Sequence, residues 1–265
     1  MYSKSQLLLK YLQYYFAASN AKGHGMHSPF IFEFITKVLN DRRVYPEYER
    51  VEALRSQLLD EHTVIEIEDF GAGSSVTKKN KRSISSIAKN AAKPKKFGQL
   101  LFRMAKYYQP ANILELGTSL GITTSYLSLA KPRGRLMTME GSKEIAEVAK
   151  KNFANLEIRN IEITEGNFDN TLSSVVRGLS SVDFAFIDGN HRQEPTERYF
   201  KELLAKTNND SILVFDDIHW SSEMEAAWET IKNDAAVTCS IDLFFIGIVF
   251  FRKEFKEKQH FAIRF

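Results

Sequence analysis

The stretch Asn112–Thr124, N-I-L-E-L-G-T-S-L-G-I-T-T, reads as a strand, a glycine turn and the start of a helix. Ile113, Leu114 and Leu116 make the short apolar run of a parallel strand buried on both faces, with Glu115 near its carboxyl end. Gly117 and Gly121 bracket a tight turn whose missing Cβ atoms let backbone approach a ligand, and the following helix presents its unpaired N–H groups there. Downstream, Arg135–Glu140, R-L-M-T-M-E, is a second strand ending on an acid, with Gly141 and Ser142 as turn and helix cap. An acid at that distance suits a ribose diol, because its two oxygens accept both hydroxyl protons at the carboxyl edge of the sheet. The alternative is that Glu140 caps a helix or faces solvent. Together the two signals favour a nucleoside-containing cofactor.

From Phe97 the elements alternate regularly. A helix to about Tyr108 ends before Pro110, the glycine strand follows, a helix runs from Gly121 to Ala130, and Pro132 and Gly134 turn the chain. A helix over Lys143–Asn155 and a strand over Ile158–Thr164 come after Glu140. Val182–Asp188, V-D-F-A-F-I-D, and Ser211–Asp217, S-I-L-V-F-D-D, are apolar strands that both end on aspartate. A helix capped by Ser221 and Ser222 runs to about Asn233, and Val237–Asp242 and Gly247–Phe251 form a last antiparallel pair. The tail, F-A-I-R-F, suits an edge strand or packing on the N-terminal helices. Such alternation specifies an α/β fold.

E-L-G-T-S-L-G with its downstream acid, F-I-D-G-N-H and V-F-D-D-I-H-W together resemble the class I S-adenosylmethionine-dependent methyltransferases, within them the O-methyltransferases related to the catechol and macrolide-sugar enzymes. The resemblance covers about Phe97–Phe251 and implies a Rossmann-like seven-stranded methyltransferase sheet with S-adenosylmethionine as cofactor. It assigns the cofactor to Glu115, Gly117, Thr118, Ser119, Gly121, Glu140, Gly141, Ser142 and Asp188. In related enzymes the residues just after the third strand contact the adenine, which adds Asn167 and Phe168: an amide can pair with the base edge and a ring can lie on its face. Turn and helix capping suits Asn167 equally. G-T-S-L-G has two glycines where the pyrophosphate-binding G-x-G-x-x-G has three, so a cofactor without phosphates fits it better than a nicotinamide dinucleotide does.

In a doubly wound sheet the two aspartate-ended strands are neighbours, so Asp188, Asp216 and Asp217 are expected to converge at the cofactor's methyl end. Three carboxylates that close repel one another unless a cation or a proton intervenes, which predicts a hard divalent metal. Magnesium fits carboxylate-and-water ligation and lowers the pKa of a bound hydroxyl. The resembling metal-dependent O-methyltransferases use an aspartate after strand four and an Asp-Asn pair after strand five; Asp188 and Asp216 match, and Asp217 replaces the asparagine. One of these aspartates serving only as a helix cap is the alternative. His191 occupies the position of the catechol enzymes' lysine base, and an imidazole near neutral pKa can take a hydroxyl proton. His191 and Asp188 are therefore the expected catalytic pair, with His219 of D-D-I-H-W the second candidate base.

Three regions are expected: an N-terminal helical cap over 1–62, a basic glycine-containing loop segment over 63–96, and the methyltransferase domain over 97–265. Leu8, Tyr11, Leu12, Tyr15 and Phe16 recur at helical spacing, as do Ile31, Phe34, Ile35, Val38 and Leu39 after a break containing His24 and His27. Ser28-Pro29 is a helix start, and Pro46–Leu59 is a third helix with Tyr48, Val51, Leu54, Leu58 and Leu59 on one stripe. These helices read as a cap or a homodimer contact. His62–Ser75 contains a second glycine run, D-F-G-A-G, but Lys78-Lys79-Asn80-Lys81-Arg82 follows it in place of an apolar helix, so it reads as a mobile loop. No acid occurs from Phe70 to Leu114, whereas Lys78, Lys79, Lys81, Arg82, Lys89, Lys93, Lys95, Lys96, Arg103 and Lys106 do. Such a run either attracts an anionic substrate, as a lid would, or is a solvated loop beside a polar helix face.

A chain of 265 residues, 43% hydrophobic and 26% charged, has the composition of a globular domain with additions. Its one cysteine, Cys239, excludes an internal disulfide and reads as a buried small hydrophobe. No segment has the apolar length of a membrane span and the first residues lack a signal-peptide layout, which favours the cytoplasm. The expected function is O-methylation of a small-molecule hydroxyl. A nucleic-acid methyltransferase using the 78–106 segment is the nearest alternative, disfavoured because F-I-D-G stands where base-amine enzymes carry an N-P-P-Y-like motif. A non-catalytic binding protein on the same fold is the third reading.

Overall fold

The computed structural model describes residues 1–19, 21, 28–67 and 81–265. His24, His27, the D-F-G-A-G run, Lys78 and Lys79 lie outside the described residues. In chain order, α1 (Lys4–Ala17) and α2 (Pro29–Glu33) lead into a π-helical segment, Phe34–Leu39, and α3 (Pro46–Leu59). Two short strands, β1 (Val64–Glu66) and β2 (Lys81–Ser83), precede α4 (Ile84–Ala91) and α5 (Lys95–Tyr108). The alternating part follows as β3 (Asn112–Leu116), α6 (Ile122–Ala130), β4 (Arg135–Glu140), α7 (Lys143–Asn155), β5 (Ile161–Glu165) and α8 (Phe168–Gly178). It continues with β6 (Phe184–Ile187), α9 (Gln193–Leu204), β7 (Ile212–Asp216), α10 (Ser222–Asn233), β8 (Cys239–Asp242), β9 (Ile246–Phe250) and β10 (Gln259–Ala262). The principal sheet has eight strands rather than the expected seven, and β10 is the addition.

The chain divides into two compact units, one made of 41–171 and the other of 1–40 with 172–265. In the 41–171 unit, β3, β4 and β5 are parallel, with Leu114 opposite Met137 and Met139 opposite Thr164. Ile113, Leu114, Leu116, Leu136 and Met139 are buried, as a strand covered on both faces requires. Helices α5 and α6 meet at Gly98, where an added Cβ would lie 2.7 Å from the Tyr126 ring. Tyr126 donates to Glu52 of α3 (2.7 Å), and Tyr48 packs edge-on to the rings of Phe102 and Tyr126. The 63–96 stretch, read from sequence as a loop, contains the antiparallel β1–β2 pair and helix α4. Ser83 caps α4 by accepting from Ser86 N–H (3.2 Å), and Ile84, Ile87 and Ala88 are buried on one face. Lysine density along the stretch obscured that short apolar stripe.

In the second unit β6 and β7 are parallel, β7 and β9 antiparallel, β9 and β8 antiparallel, and β8 and β10 parallel. Gly247 of β9 lies under Trp228 of α10, whose ring would be 2.6 Å from an added Cβ. Cys239 is buried, which pushes its thiol up to about 12. Helix α1 forms where its periodicity puts it, with a reciprocal Ser3–Gln6 capping box, yet none of its residues is buried. Tyr11 and Tyr14 pack on Phe244, whereas Leu8, Leu9, Leu12, Tyr15 and Phe16 face solvent. The Tyr14 hydroxyl donates to the Ile263 carbonyl, and Ser19 forms a parallel bridge with Ile263. No helix among the described residues is long and apolar enough to cross a membrane.

Candidate functional site

The 41–171 unit carries the glycine turn. Gly117 (φ 103°), Ser119 (φ 47°) and Gly121 (φ 79°) all adopt left-handed backbone, which reverses the chain within five residues between β3 and α6. The N–H groups of Gly117 and Thr118 both donate to the Met139 carbonyl (3.0 and 3.1 Å), fastening the turn to β4. Glu140 then closes it: Oε2 accepts from Ser119 N–H (2.8 Å) and Oε1 from Ser142 N–H (3.0 Å). One carboxylate is thus oriented by two backbone donors from different turns.

Beneath the turn lies a polar chain the sequence did not announce. Thr124 and Thr138 both donate to Glu115 Oε2 (2.5 and 2.6 Å). Since Thr138 spends its proton on Glu115, the 2.6 Å contact between the Thr118 and Thr138 hydroxyls runs from Thr118 to Thr138. Glu115 is fully enclosed and bolts β3 to β4 and α6. Gly121 is also buried: an added Cβ would meet the Phe153 ring of α7 at 2.4 Å. Past β5, Gly166 (φ 122°) donates to the Glu140 carbonyl (2.8 Å), and Asn167 Oδ1 accepts from Asp169 N–H (2.9 Å) at the start of α8, beside half-buried Phe168.

The other unit carries an acid–imidazole group. Asp188 follows β6 and Asp216 ends β7, and one ligand atom from each, with one from His191, lie within 4.8 Å of one another. His191 Nε2 is 3.4 Å from Asp188 Oδ1. The loop that returns His191 toward Asp188 has Asn190 (φ 69°) and His191 (φ 42°) both left-handed. Asn190 anchors it, donating to the buried Tyr199 hydroxyl (3.1 Å) and accepting from Arg192 Nε (2.8 Å). Two successive non-glycine residues in that region carry strain of the kind concentrated at functional sites. Asp217 is not part of the group; it too is left-handed (φ 52°), and its N–H donates to the Phe245 carbonyl (2.7 Å).

His219, the second candidate base, faces Glu225 through Nδ1 (3.1 Å) and Asp242 through Nε2 (2.7 Å), and stacks on Phe244. Burial pulls its pKa down, but Asp242 and Glu225 outweigh burial and hold it above the usual imidazole range. A carboxylate at each nitrogen favours the doubly protonated form, in which the ring has no lone pair to act as a base.

Residues 114–218 match the profile of a methyltransferase-domain family. A catechol O-methyltransferase of Niastella koreensis is 32% identical over 46% of this chain and 55% of its own length. A catechol O-methyltransferase of Mycobacterium tuberculosis is 28% identical over 46% of the chain and 54% of its own. The matched segment is thus similar to methyltransferase domains, those of catechol O-methyltransferases among them. It spans about half the length of these curated relatives. Among solved structures, the O-methyltransferase TomG of Streptomyces achromogenes, in complex with SAM, superposes with a TM-score of 0.53 at 21% identity, over 62% of this chain and 82% of its own. SAH-bound PaMTH1 of Podospora anserina gives 0.58 at 12% identity, over 96% and 98%. Both likenesses establish the Rossmann-like fold.

Within this methyltransferase fold the residues expected to hold cofactor divide by exposure. Gly117, Ser119, Glu140, Gly141, Asn167, Phe168 and Asp188 reach the surface, whereas Glu115, Thr118, Gly121 and Ser142 are buried and act on the shape of the turn. Sequence reasoning missed Thr124, Thr138, Asn190 and Tyr199, which support the two groups. Thr138, an uncharged polar residue inside an otherwise apolar strand, was the one readable signal among them.

Proposed function

We propose that the chain is an S-adenosylmethionine-dependent methyltransferase acting on the hydroxyl of a small-molecule acceptor, with magnesium assistance. The observation that carries this reading is Glu140: a carboxylate at the end of the second parallel strand, its two oxygens fixed by Ser119 and Ser142 N–H groups, is built to accept from two vicinal hydroxyls. Gly117, Ser119 and Gly141 offer backbone beside it, and Asn167 and Phe168 offer an amide and a ring for the adenine.

Asp188 and Asp216 supply hard carboxylate oxygens close enough together for a dication, and the donor set fits magnesium with Asp188 and Asp216 as its ligands. Asp217, expected as a third, lies outside the close group. A bound magnesium ion would lower the pKa of the acceptor's hydroxyl. His191 takes the hydroxyl proton on the ring nitrogen that does not face Asp188, while Asp188 orients the imidazole and stabilises its protonated form. The acceptor oxygen forms a bond to the methyl carbon as the carbon–sulfur bond breaks, and the electron pair leaves on sulfur as a neutral thioether. Because the sulfonium is already activated, alignment and proton removal are what the protein contributes.

Calorimetric titration of S-adenosylmethionine into the native protein and Glu140→Ala, with magnesium and then with EDTA, tests the reading. Binding that Glu140→Ala weakens at least tenfold, together with a magnesium heat abolished by Asp188→Ala, is expected. Absence of S-adenosylmethionine binding in every condition would overturn it.

A further inference from the structure

Helix α1 has two apolar faces, and the fold of its own unit covers one of them. Tyr11 and Tyr14 pack on Phe244, and Tyr11 also meets Phe245. Lys10 pairs with Glu225 (3.0 Å) on the same side, so this face is fastened down. On the opposite side Ser5, Leu8, Leu9, Leu12 and Phe16 recur at the three- and four-residue spacing that sets side chains along one stripe. Leu8 and Leu9 are 59% and 58% exposed, Leu12 42% and Phe16 78%, with Tyr15 exposed at the edge. A helix that is apolar on both sides has the pattern of one covered on both sides. The stripe and Tyr15 together present roughly 500 Å² of largely apolar surface, at the upper end of the single patches that monomers expose.

Charge selects what covers it. The stripe bears none: the charged residues of α1 are Lys4 and Lys10, and Lys10 is spent on Glu225. A strongly acidic or basic partner finds nothing there to pair with. A lipid surface is matched no better, because a helix that lies in a membrane carries rows of Lys and Arg beside its apolar face. A second copy of α1 meets neither mismatch. Leu12 stands midway between Leu8 and Phe16, so an antiparallel copy related by a twofold axis at Leu12 sets Leu8 against the partner's Phe16 and Phe16 against the partner's Leu8. Each large ring then lies over a smaller side chain, and no like charges face each other. The two stripes together remove about 1,000 Å² from solvent, the size at which specific interfaces begin.

We propose that the chain self-associates as a twofold dimer through the outer stripe of α1, with Leu12 at the axis. The stripe shares no residue with the glycine turn or the acid–imidazole group, so the proposal stands independently of the methyl-transfer reading.

The test is sedimentation equilibrium of the full chain over a range of concentrations, for the native protein, Leu12→Glu, Leu12→Lys and Phe16→Ser, with circular dichroism to confirm that each variant is folded. The native protein is expected to dimerise. Leu12→Glu and Leu12→Lys each set like charges face to face at the axis and should weaken the dimer at least about tenfold, whereas an equimolar mixture of the two regains it because Glu meets Lys. Phe16→Ser repeats the loss without a charge. A native protein that stays monomeric, a dimer that Leu12→Glu and Phe16→Ser leave unchanged, or a mixture no more dimeric than its components overturns the proposal. If the native chain is monomeric and floats with phosphatidylcholine vesicles through the same stripe, the face is a lipid contact and the self-association assignment fails.

Discussion

The glycine turn and the acid–imidazole group meet opposite electrostatic problems. At the turn one carboxylate, Glu140, receives two backbone N–H donors and is fixed by neutral dipoles. Around Asp188 and Asp216 two carboxylates approach each other, with an imidazole, whose charge depends on a proton, beside them. The first arrangement is rigid and complete without titrating anything. The second changes its net charge with pH or with a cation, which is what a step that moves a proton needs. On the proposed reading, binding geometry and proton chemistry fall on different elements, and each is expected to break without the other.

The largest effect is expected at His191. Changing it to glutamine keeps size and polarity but removes the base, so turnover should fall roughly 10²- to 10⁴-fold while S-adenosylmethionine affinity stays within about twofold. Equal losses in both, measured by steady-state kinetics and calorimetry, would mean the two groups are not separable. Next comes Gly121→Ala, which meets both a left-handed φ and the Phe153 ring. Strain and overpacking together should cost roughly 2–4 kcal/mol in urea unfolding and loosen the turn, with weaker cofactor binding as the readout.

Thr138→Val is a milder probe of the same side. It removes one of the two hydroxyls on Glu115 and the acceptor of the Thr118 hydroxyl, at an expected cost of about 1–3 kcal/mol. Turnover at saturating cofactor should hardly change, and a large drop in it would show that the buried chain reaches the proton chemistry.

The smallest effect is a pH dependence outside both groups. His219 is held above its ordinary value near 6.5, so its contribution to stability is complete below that value and fades as pH rises through the raised one. Burial raises the Glu225 carboxyl, but Tyr2, Lys10 and His219 outweigh it and hold it below its ordinary 4.5. Its contribution is complete above 4.5 and is lost as pH falls through the lowered value. The network should add most between about pH 4.5 and 6.5. Thermal melting across pH checks this, and Glu225→Gln should flatten the profile on both sides.

Much of the fold was legible because its signals are local. Ile113, Leu114, Leu116 and the acid at Glu140 mark parallel strands by runs only a few residues long. What escaped depends on partners distant in sequence. Gly121 reads as a ligand-approach glycine, yet its packing reason is Phe153, thirty-two positions later. Asp217 looks equivalent to Asp216, but Asp216 is a buried strand residue and Asp217 a half-buried one with left-handed backbone. Helix α1 shows a strong apolar period, but nothing in a period says whether a stripe faces a core, and here Leu8, Leu12 and Phe16 face solvent. The α4 stripe of Ile84, Ile87 and Ala88 was too short to stand out against its lysines.

The bridge between Ser19 and Ile263 ties the region after α1 to the strand that completes the sheet. Ser19 N–H donates to the Ala262 carbonyl (2.9 Å), Arg264 N–H donates to the Ser19 carbonyl (3.0 Å), and Tyr14 reaches Ile263. A protease nick or a deletion near residue 258 would therefore remove one anchor of the region after α1 together with β10, leaving Tyr2 and Lys10 on Glu225 and the Phe244 packing to hold the helix. A fluorophore just after α1 would then report on the opposite end of the polypeptide.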